Sequence, residues 1–310
     1  MSRSSLTLPA FAKINLSLRV LGKRADGYHE VDTVLQAISL HDTITFNITE
    51  TPEIVLSCDD RSLPAGSDNL VYRAAESLRS RFAPTKGARI RLVKRIPAQA
   101  GLGGGSSDAA VTFLALTHLW RLPAKETDLL ELAGRLGADV PFFFFGGRAR
   151  GTGSGECLAP LGDAPDQFLL VVKPNANIAT SDAYKLLKAA SLTTAEAKTI
   201  LSSSERDRIS DSFDSKDLKN DFEPAILEIE PEIKRAKIAL MKAGARTALL
   251  AGSGSAVFGI FDNGDAQERA IQMIELEAGW RVFLCRTVGR SAYRTAMGPA
   301  GEIFALLFGR

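Results

Sequence analysis

At 310 residues, with 45% hydrophobic and 24% charged residues, the chain has a globular composition and enough length for two domains with a large core. A formal net charge of +2 offers no basic excess for nucleic acid or an anionic membrane, and the opening MSRSSLTLPAF lacks the apolar run of a signal peptide. Cys58, Cys157 and Cys285 are scattered, odd in number and without a CxxC, so they are expected as reduced thiols in a cytoplasm, and three histidines argue against a histidine metal site.

In chain order, residues 11–20 read FAKINLSLRV. Ile14, Leu16, Leu18 and Val20 alternate with Lys13, Asn15, Ser17 and Arg19, which predicts a strand with one buried and one solvated face. Lys13 and Asn15 then point to the same side. The following GKRADGYHE carries an Asp26-Gly27 turn that puts Tyr28 and His29 at a loop tip or strand start. Together they offer a flat aromatic face and a polar donor/acceptor edge. Residues 31–57 alternate as β-segments. Ser67 or Asp68 is expected to cap a helix that opens at Asn69-Leu70. In the strand 88–96, Lys94 shares the apolar parity of Ile90, Leu92 and Ile96, so it either snorkels or faces a ligand.

The chain is then organised around residues 97–110, PAQAGLGGGSSDAA. Gly101, Gly103, Gly104 and Gly105 allow positive φ and close approach of a ligand to the peptide planes. Ser106, Ser107 and Asp108 are good helix-entry residues, and an apolar helical run follows to about Trp120. A glycine loop feeding a helix N-terminus is a seat for phosphate. It is not GxxxxGK[ST], since Ser106 follows Gly105, and counting from Gly101 it is not GxGxxG either. A plain linker is the alternative.

A second helix is predicted over 126–136, closed by Gly137. Asp139 follows before Pro141, which should push Val140 to an extended conformation, and Asp139 is expected at a helix–strand junction among apolar neighbours. A carboxylate there needs a partner. The four phenylalanines ending at Phe145 are far too few to span a bilayer. Residues 148–157 are expected to end the first domain. The second half opens with a strand at 168–172. Residues 191–220 are polar and expected to form a loose excursion. A β-α-β-β-α-β pattern predicts a ferredoxin-like half, with Ala251-Gly252-Ser253-Gly254-Ser255 as the turn between its middle strands.

PxxxGLGGGSSDAA resembles the phosphate motif of the GHMP kinases. Ala10-Phe11-Ala12-Lys13-Ile14-Asn15-Leu16 is similar to their first motif, with Phe11 where proline or serine is common. The turn 251–255 is similar to their third. GKRADGYH, GADVPFF and NDFEP resemble segments of a branch whose substrate carries a cytidine diphosphate. The resemblance implies an α+β, two-domain GHMP architecture: a ribosomal-S5-like N-terminal domain (1–162) and a ferredoxin-like C-terminal domain (163–310).

It further implies an ATP-dependent kinase using Mg²⁺ on a small cytidyl diphosphate sugar alcohol, with no nucleic-acid or membrane partner. By the same resemblance, Pro97, Gly101, Leu102, Gly103, Gly104, Gly105, Ser106 and Ser107 hold the phosphates, with Ser107 as metal ligand. Lys94, Asn69 and Leu70 lie by the nucleotide. Lys13 and Asp139 are catalytic, with Asp139 the base toward the substrate hydroxyl and Asn15 orienting the substrate. Tyr28 stacks on the base, His29 reads its edge, and Tyr184 forms a second wall. Two alternatives stand beside this: another GHMP small-alcohol kinase, or a non-catalytic nucleotide- or nucleic-acid-binding protein on the same scaffold.

Overall fold

The computed structural model describes residues 4–187 and 218–308. The expected loose excursion at 191–220 therefore lies outside the described residues up to 217. The first sheet is built on a long antiparallel ribbon, β1 (Ser5–Lys23) and β2 (His29–Thr49). The outer edge of β2 is shared: β4 (Gly87–Val93) pairs with its 43–49 half and β5 (Arg148–Thr152) with residues 33–36. β3 (Ile54–Cys58) extends the sheet beyond β4, and β6 (Cys157–Pro160) pairs with β5.

Helices α1 (Leu70–Phe82), α2 (Gly104–Trp120), α3 (Glu126–Leu136) and the single turn α4 (Phe142–Phe145) belong with this sheet. α2 is buried almost all round, as a central helix of alanines, leucines and phenylalanine should be. Its core joins Phe46, Val71, Leu78, Ile90, Phe113 and Phe142 to Phe144. Truncating one such phenylalanine typically costs about 3–5 kcal/mol.

The second sheet contains β7 (Phe168–Lys173), β9 (Thr247–Leu250), β10 (Val257–Phe261) and β11 (Arg281–Arg286). Its antiparallel order is β11-β7-β10-β9, the ferredoxin-like arrangement that the β-α-β-β-α-β pattern predicts. Between β7 and β9 run α5 (Thr180–Leu186), the two-residue β8 (Lys219–Asn220), α6 (Glu223–Ile229) and α7 (Pro231–Lys242). α8 (Gly264–Met273) links β10 to β11. No helix among the described residues is long and apolar enough to cross a membrane.

Four local expectations change. β1 runs over 5–23 and is buried on both faces from Ala10 to Leu16, because the second sheet covers its other side. Ala12, Ile14, Leu16, Val34 and Ile38 pack there against Leu169, Val171, Leu249 and Phe258. α2 starts at Gly104 with Gly103 as its left-handed cap, so Ser106 to Asp108 lie inside the helix. α1 is capped by Asn69, whose side chain accepts from Val71 N–H, and not by Ser67 or Asp68. After Asp139 comes a helical turn, with Pro141 itself helical, and not a strand.

The chain also does not finish in its second half. α9 (Arg290–Ala296) and α10 (Gly298–Phe308) return to the first core, where Tyr293, Met297 and Phe308 are buried. The division at 162/163 is thus crossed by the last helices, and by β8, which pairs in parallel with β1.

Candidate active site

The glycine loop lies between the two sheets. Lys13 N–H donates to Leu102 C=O at 2.9 Å, tying the loop to β1. On its other side, Ser255 and Ala256 N–H donate to Gln99 and Ala100 C=O at 3.3 and 3.2 Å, so the third-motif turn lies against the first loop. The contact needs glycine: a Cβ on Gly101 would fall 1.8 Å from Ala251 O. Asn220, unassigned in the sequence reading, holds this turn by donating to Leu250 and Gly252 C=O at 2.9 and 2.7 Å.

At the start of α2 the first N–H groups have no intrahelical acceptor, and a glycine cap has no side chain to fill them. They remain available to an anion, with the helix dipole behind them. The loop lines a cavity of about 450 Å³ together with Lys13, Asn15, Asn69, Leu70, Pro97, Ser106 and Asp139. The Asn69 amide also donates to Pro64 C=O, so its oxygen serves the helix cap and its nitrogen the preceding loop.

Two expected ligands sit elsewhere. Ser107 is fully buried, its Oγ has no hydrogen-bond partner, and it does not line the cavity, so it is not poised as a metal ligand. A helix turns successive residues by about 100°, and it is Ser106 that lines the cavity. Lys94 does border the cavity, but its ammonium is buried between Asp42 and Asp108. Burial lowers its proton affinity, yet the Asp108 and Asp42 carboxylates outweigh that and raise its pKa. Asp108 is pushed up to about 8 by burial, with the nearby negative charge of Asp42 adding to it against Lys94.

Lys13 and Asn15, both buried, face the same way as their parity predicts. Lys13 Nζ donates to Asn15 Oδ1 at 2.8 Å, and the Asn15 amide donates to Thr33 Oγ1 at 2.8 Å. The same ammonium lies 3.5 Å from Asp139 Oδ2. The Asp139 side chain is 40% exposed, not buried as expected, because it opens onto the cavity.

A second cavity of about 790 Å³ is lined by Lys23, Tyr28, His29, Tyr184 and Lys185, and it shares Ser106, Asp139, Ser154, Thr180 and Tyr184 with the first. Here the expected roles shift. Tyr28 stands 67% exposed at the loop tip. His29 stacks on Tyr184 with centroids 4.6 Å apart, and Tyr184 meets Phe222 edge-on at 4.8 Å. His29, expected to read an edge, is thus part of the same wall as Tyr184. Burial, with Lys23 nearby, lowers the His29 pKa. Burial and Asp139 push the Tyr184 phenol up to about 12. Among the described residues, no group of three or more His, Cys, Asp and Glu is arranged to hold a metal ion.

A helix N-terminus wrapped in glycines, a second glycine turn packed against it, and a lysine–carboxylate pair at its edge define a small-molecule kinase of the GHMP class. The family descriptions agree: GHMP kinases N terminal domain matches residues 69–147, and GHMP kinases C terminal matches 207–278. The chain belongs to the 4-diphosphocytidyl-2-C-methyl-D-erythritol kinase family.

A member from Pelotomaculum thermopropionicum is 44% identical over 256 residues, covering 82% of this chain and 88% of that protein. One from Lachnoclostridium phytofermentans is 38% identical over 289 residues, covering 91% and 97%. A crystal structure of 4-(cytidine 5'-diphospho)-2C-methyl-D-erythritol kinase superposes with TM-score 0.75 at 33% identity, covering 92% of this chain and all of that one. A homoserine kinase from Cytophaga hutchinsonii, at 18% identity and TM-score 0.67, shares the fold.

Proposed function

We propose that the chain transfers the terminal phosphoryl group of ATP to the 2-hydroxyl of 4-diphosphocytidyl-2-C-methyl-D-erythritol. One observation carries the reading: Asp139 is shared by the glycine-loop cavity and the cavity lined by Tyr28, His29 and Tyr184. A phosphate donor in the first and a nucleoside-bearing acceptor in the second would both border this carboxylate. The names of the relatives support the same acceptor.

The chain's own groups divide the work. Backbone N–H groups at the start of α2 bind donor phosphates. Asp139 accepts the proton of the attacking hydroxyl, a role typically worth about 10²–10⁴ in rate. The Lys13 ammonium, 3.5 Å from that carboxylate, orients it and stabilises charge developing on the acceptor oxygen. Asn15, oriented by Thr33 and Lys13, positions the acceptor. Mg²⁺ suits the donor set, since that ion is commonly held by nucleotide phosphates, water and one or two carboxylates, and Asp139 is a half-exposed carboxylate on the cavity. When bound it neutralises charge on the transferring phosphates.

The test is ATP consumption by the purified protein with the cytidyl substrate, its uridyl analogue, homoserine and mevalonate, with the phosphorylated position read by phosphorus NMR. Turnover confined to the cytidyl compound supports the reading. Preference for another alcohol would move the chain's activity elsewhere in the class.

A further inference from the structure

Three buried titratable side chains beneath the glycine loop take no part in the steps above. Asp42, on β2, has no exposed surface. Its Oδ1 accepts the N–H groups of Arg95 at 2.5 Å and Ile96 at 2.8 Å, and its Oδ2 accepts the Lys94 ammonium. Lys94 Nζ also donates to Asp108 Oδ2, inside α2, at 2.8 Å. The other Asp108 oxygen is buried without a partner. A Cβ on Gly104 would come within 3.4 Å of Lys94 Nζ, so the ammonium lies directly under the first turn of α2. One ammonium and one carboxylate therefore hold both the strand end that enters the loop and the helix that leaves it.

We propose that Asp42 and Lys94 act as one unit that positions the glycine loop for the nucleotide, with Lys94 working through the loop backbone and not as a phosphate ligand. The inference rests on the kinase reading above. Lys94 has three donor hydrogens, its side chain is only 8% exposed, and two buried carboxyl groups, Asp42 and Asp108, claim it. Reaching a phosphate would strip a buried cation from both partners, and buried charges tolerate that poorly. The two carboxyl groups are not equivalent. Asp42 takes three donors on two oxygens, two of them backbone N–H groups of the loop entry. Asp108 takes one donor on one oxygen, a bond that an amide carbonyl can also accept.

Calorimetric titration with ADP and with a non-hydrolysable ATP analogue tests this on the parent, Asp42→Asn, Lys94→Met, the double variant and Asp108→Asn, alongside KM for ATP and kcat. Asp42→Asn and Lys94→Met are expected to weaken nucleotide binding by about tenfold each. The double variant should be no weaker than the worse single, as contacting residues of one network are non-additive. The loss should fall on KM for ATP, with kcat at saturating ATP kept within about threefold. Asp108→Asn should bind nucleotide within about threefold of the parent.

A direct phosphate ligand behaves otherwise: Lys94→Met loses affinity while Asp42→Asn, which frees the lysine, keeps or gains it. That result overturns the proposal, as does an Asp108→Asn loss equal to that of Asp42→Asn. If Lys94→Met fails to fold, Asp42→Asn compared with Asp108→Asn still decides; if Asp42→Asn fails to fold, the kcat of Lys94→Met at saturating ATP decides, because a direct phosphate ligand would lower it by far more than about threefold. A parent that binds no nucleotide would count against the kinase reading itself.

Discussion

Lys13 Nζ stands 3.5 Å from Asp139 Oδ2, the lysine side chain 5% exposed and the aspartate 40%. A buried cation thus meets a carboxylate that opens onto the cavity and solvent. Lys13 is held in place by its bond to Asn15. Asp139→Asn should lower kcat at least a hundredfold while nucleotide still binds, in keeping with the 10²–10⁴ range for acid–base roles. Lys13→Met should do comparable damage, and the double variant little more, because the two act as a unit. Losses that simply multiply in steady-state kinetics would make the pair structural.

The glycines of the loop are not interchangeable. Gly103 sits at φ +69°, and a Cβ there would meet Lys13 Cγ and Phe143 Cζ at 3.0 Å. Gly103→Ala should lower Tm and weaken nucleotide binding, since left-handed backbone costs a side-chain-bearing residue roughly 1–2 kcal/mol. Gly105 is helical, and the nearest atom to an added Cβ is Leu70 Cδ1 at 3.3 Å. There the gain in helix propensity, about 1 kcal/mol for Ala over Gly, favours an unchanged or raised Tm. Calorimetry on both variants checks the contrast. Gly104 is a poor probe of phosphate contact, because its Cβ would strike Ile96 at 2.9 Å and disturb the core.

His29 lines the second cavity and stacks on Tyr184. A site built to hydrogen-bond a group can reject a mispairing analogue by roughly 10⁴–10⁵. The parent is expected to favour the cytidyl over the uridyl substrate by at least two orders of magnitude in kcat/KM. His29→Ala should erode that ratio and also raise KM, because Tyr184 loses its stacking partner. Equal kcat/KM for the two substrates in the parent would remove His29 from base recognition.

Asp108 makes stability depend on pH. Its carboxyl is pushed up to about 8 in the fold, chiefly by burial, whereas an unfolded aspartate ionises near pH 4. Between those values the folded chain keeps a proton that the unfolded chain releases. The contribution is therefore fully present below about pH 4 and is lost as pH rises through about 8. Asp108→Asn, which stays neutral throughout, should show a Tm advantage over the parent that grows from pH 5 to pH 8 and levels off above. Parallel Tm curves for the two proteins would contradict this.

Much of the site was legible because its signals are local. Turn chemistry marks Asp26-Gly27, strand parity puts Lys13 and Asn15 on one side, and a glycine run before an apolar helix marks the phosphate seat. Other features depend on partners far away in the chain. Lys94 on an apolar parity left two readings open, and only its neighbours, 52 and 14 residues away, settle where its ammonium goes. Asp42 carried no signal beyond being one of three acids in its strand, with Glu30 and Asp32. Ser106 and Ser107 differ by one position, and the true start of α2 decides which one faces the cavity.

By itself the sequence determined most element types, though not the turn after Asp139 or the last two helices, and the ferredoxin-like order of the second sheet. Those follow from periodicity, turns and caps, which act over a few residues. The tertiary structure alone decided that both faces of β1 are buried, that Asp139 opens to solvent, that His29 stacks on Tyr184, and that the last helices rejoin the first core. Each of these depends on which surface covers which. A buried charge or ring takes its partner from whatever the fold brings within a few ångströms, and that choice is not encoded in any one stretch of chain.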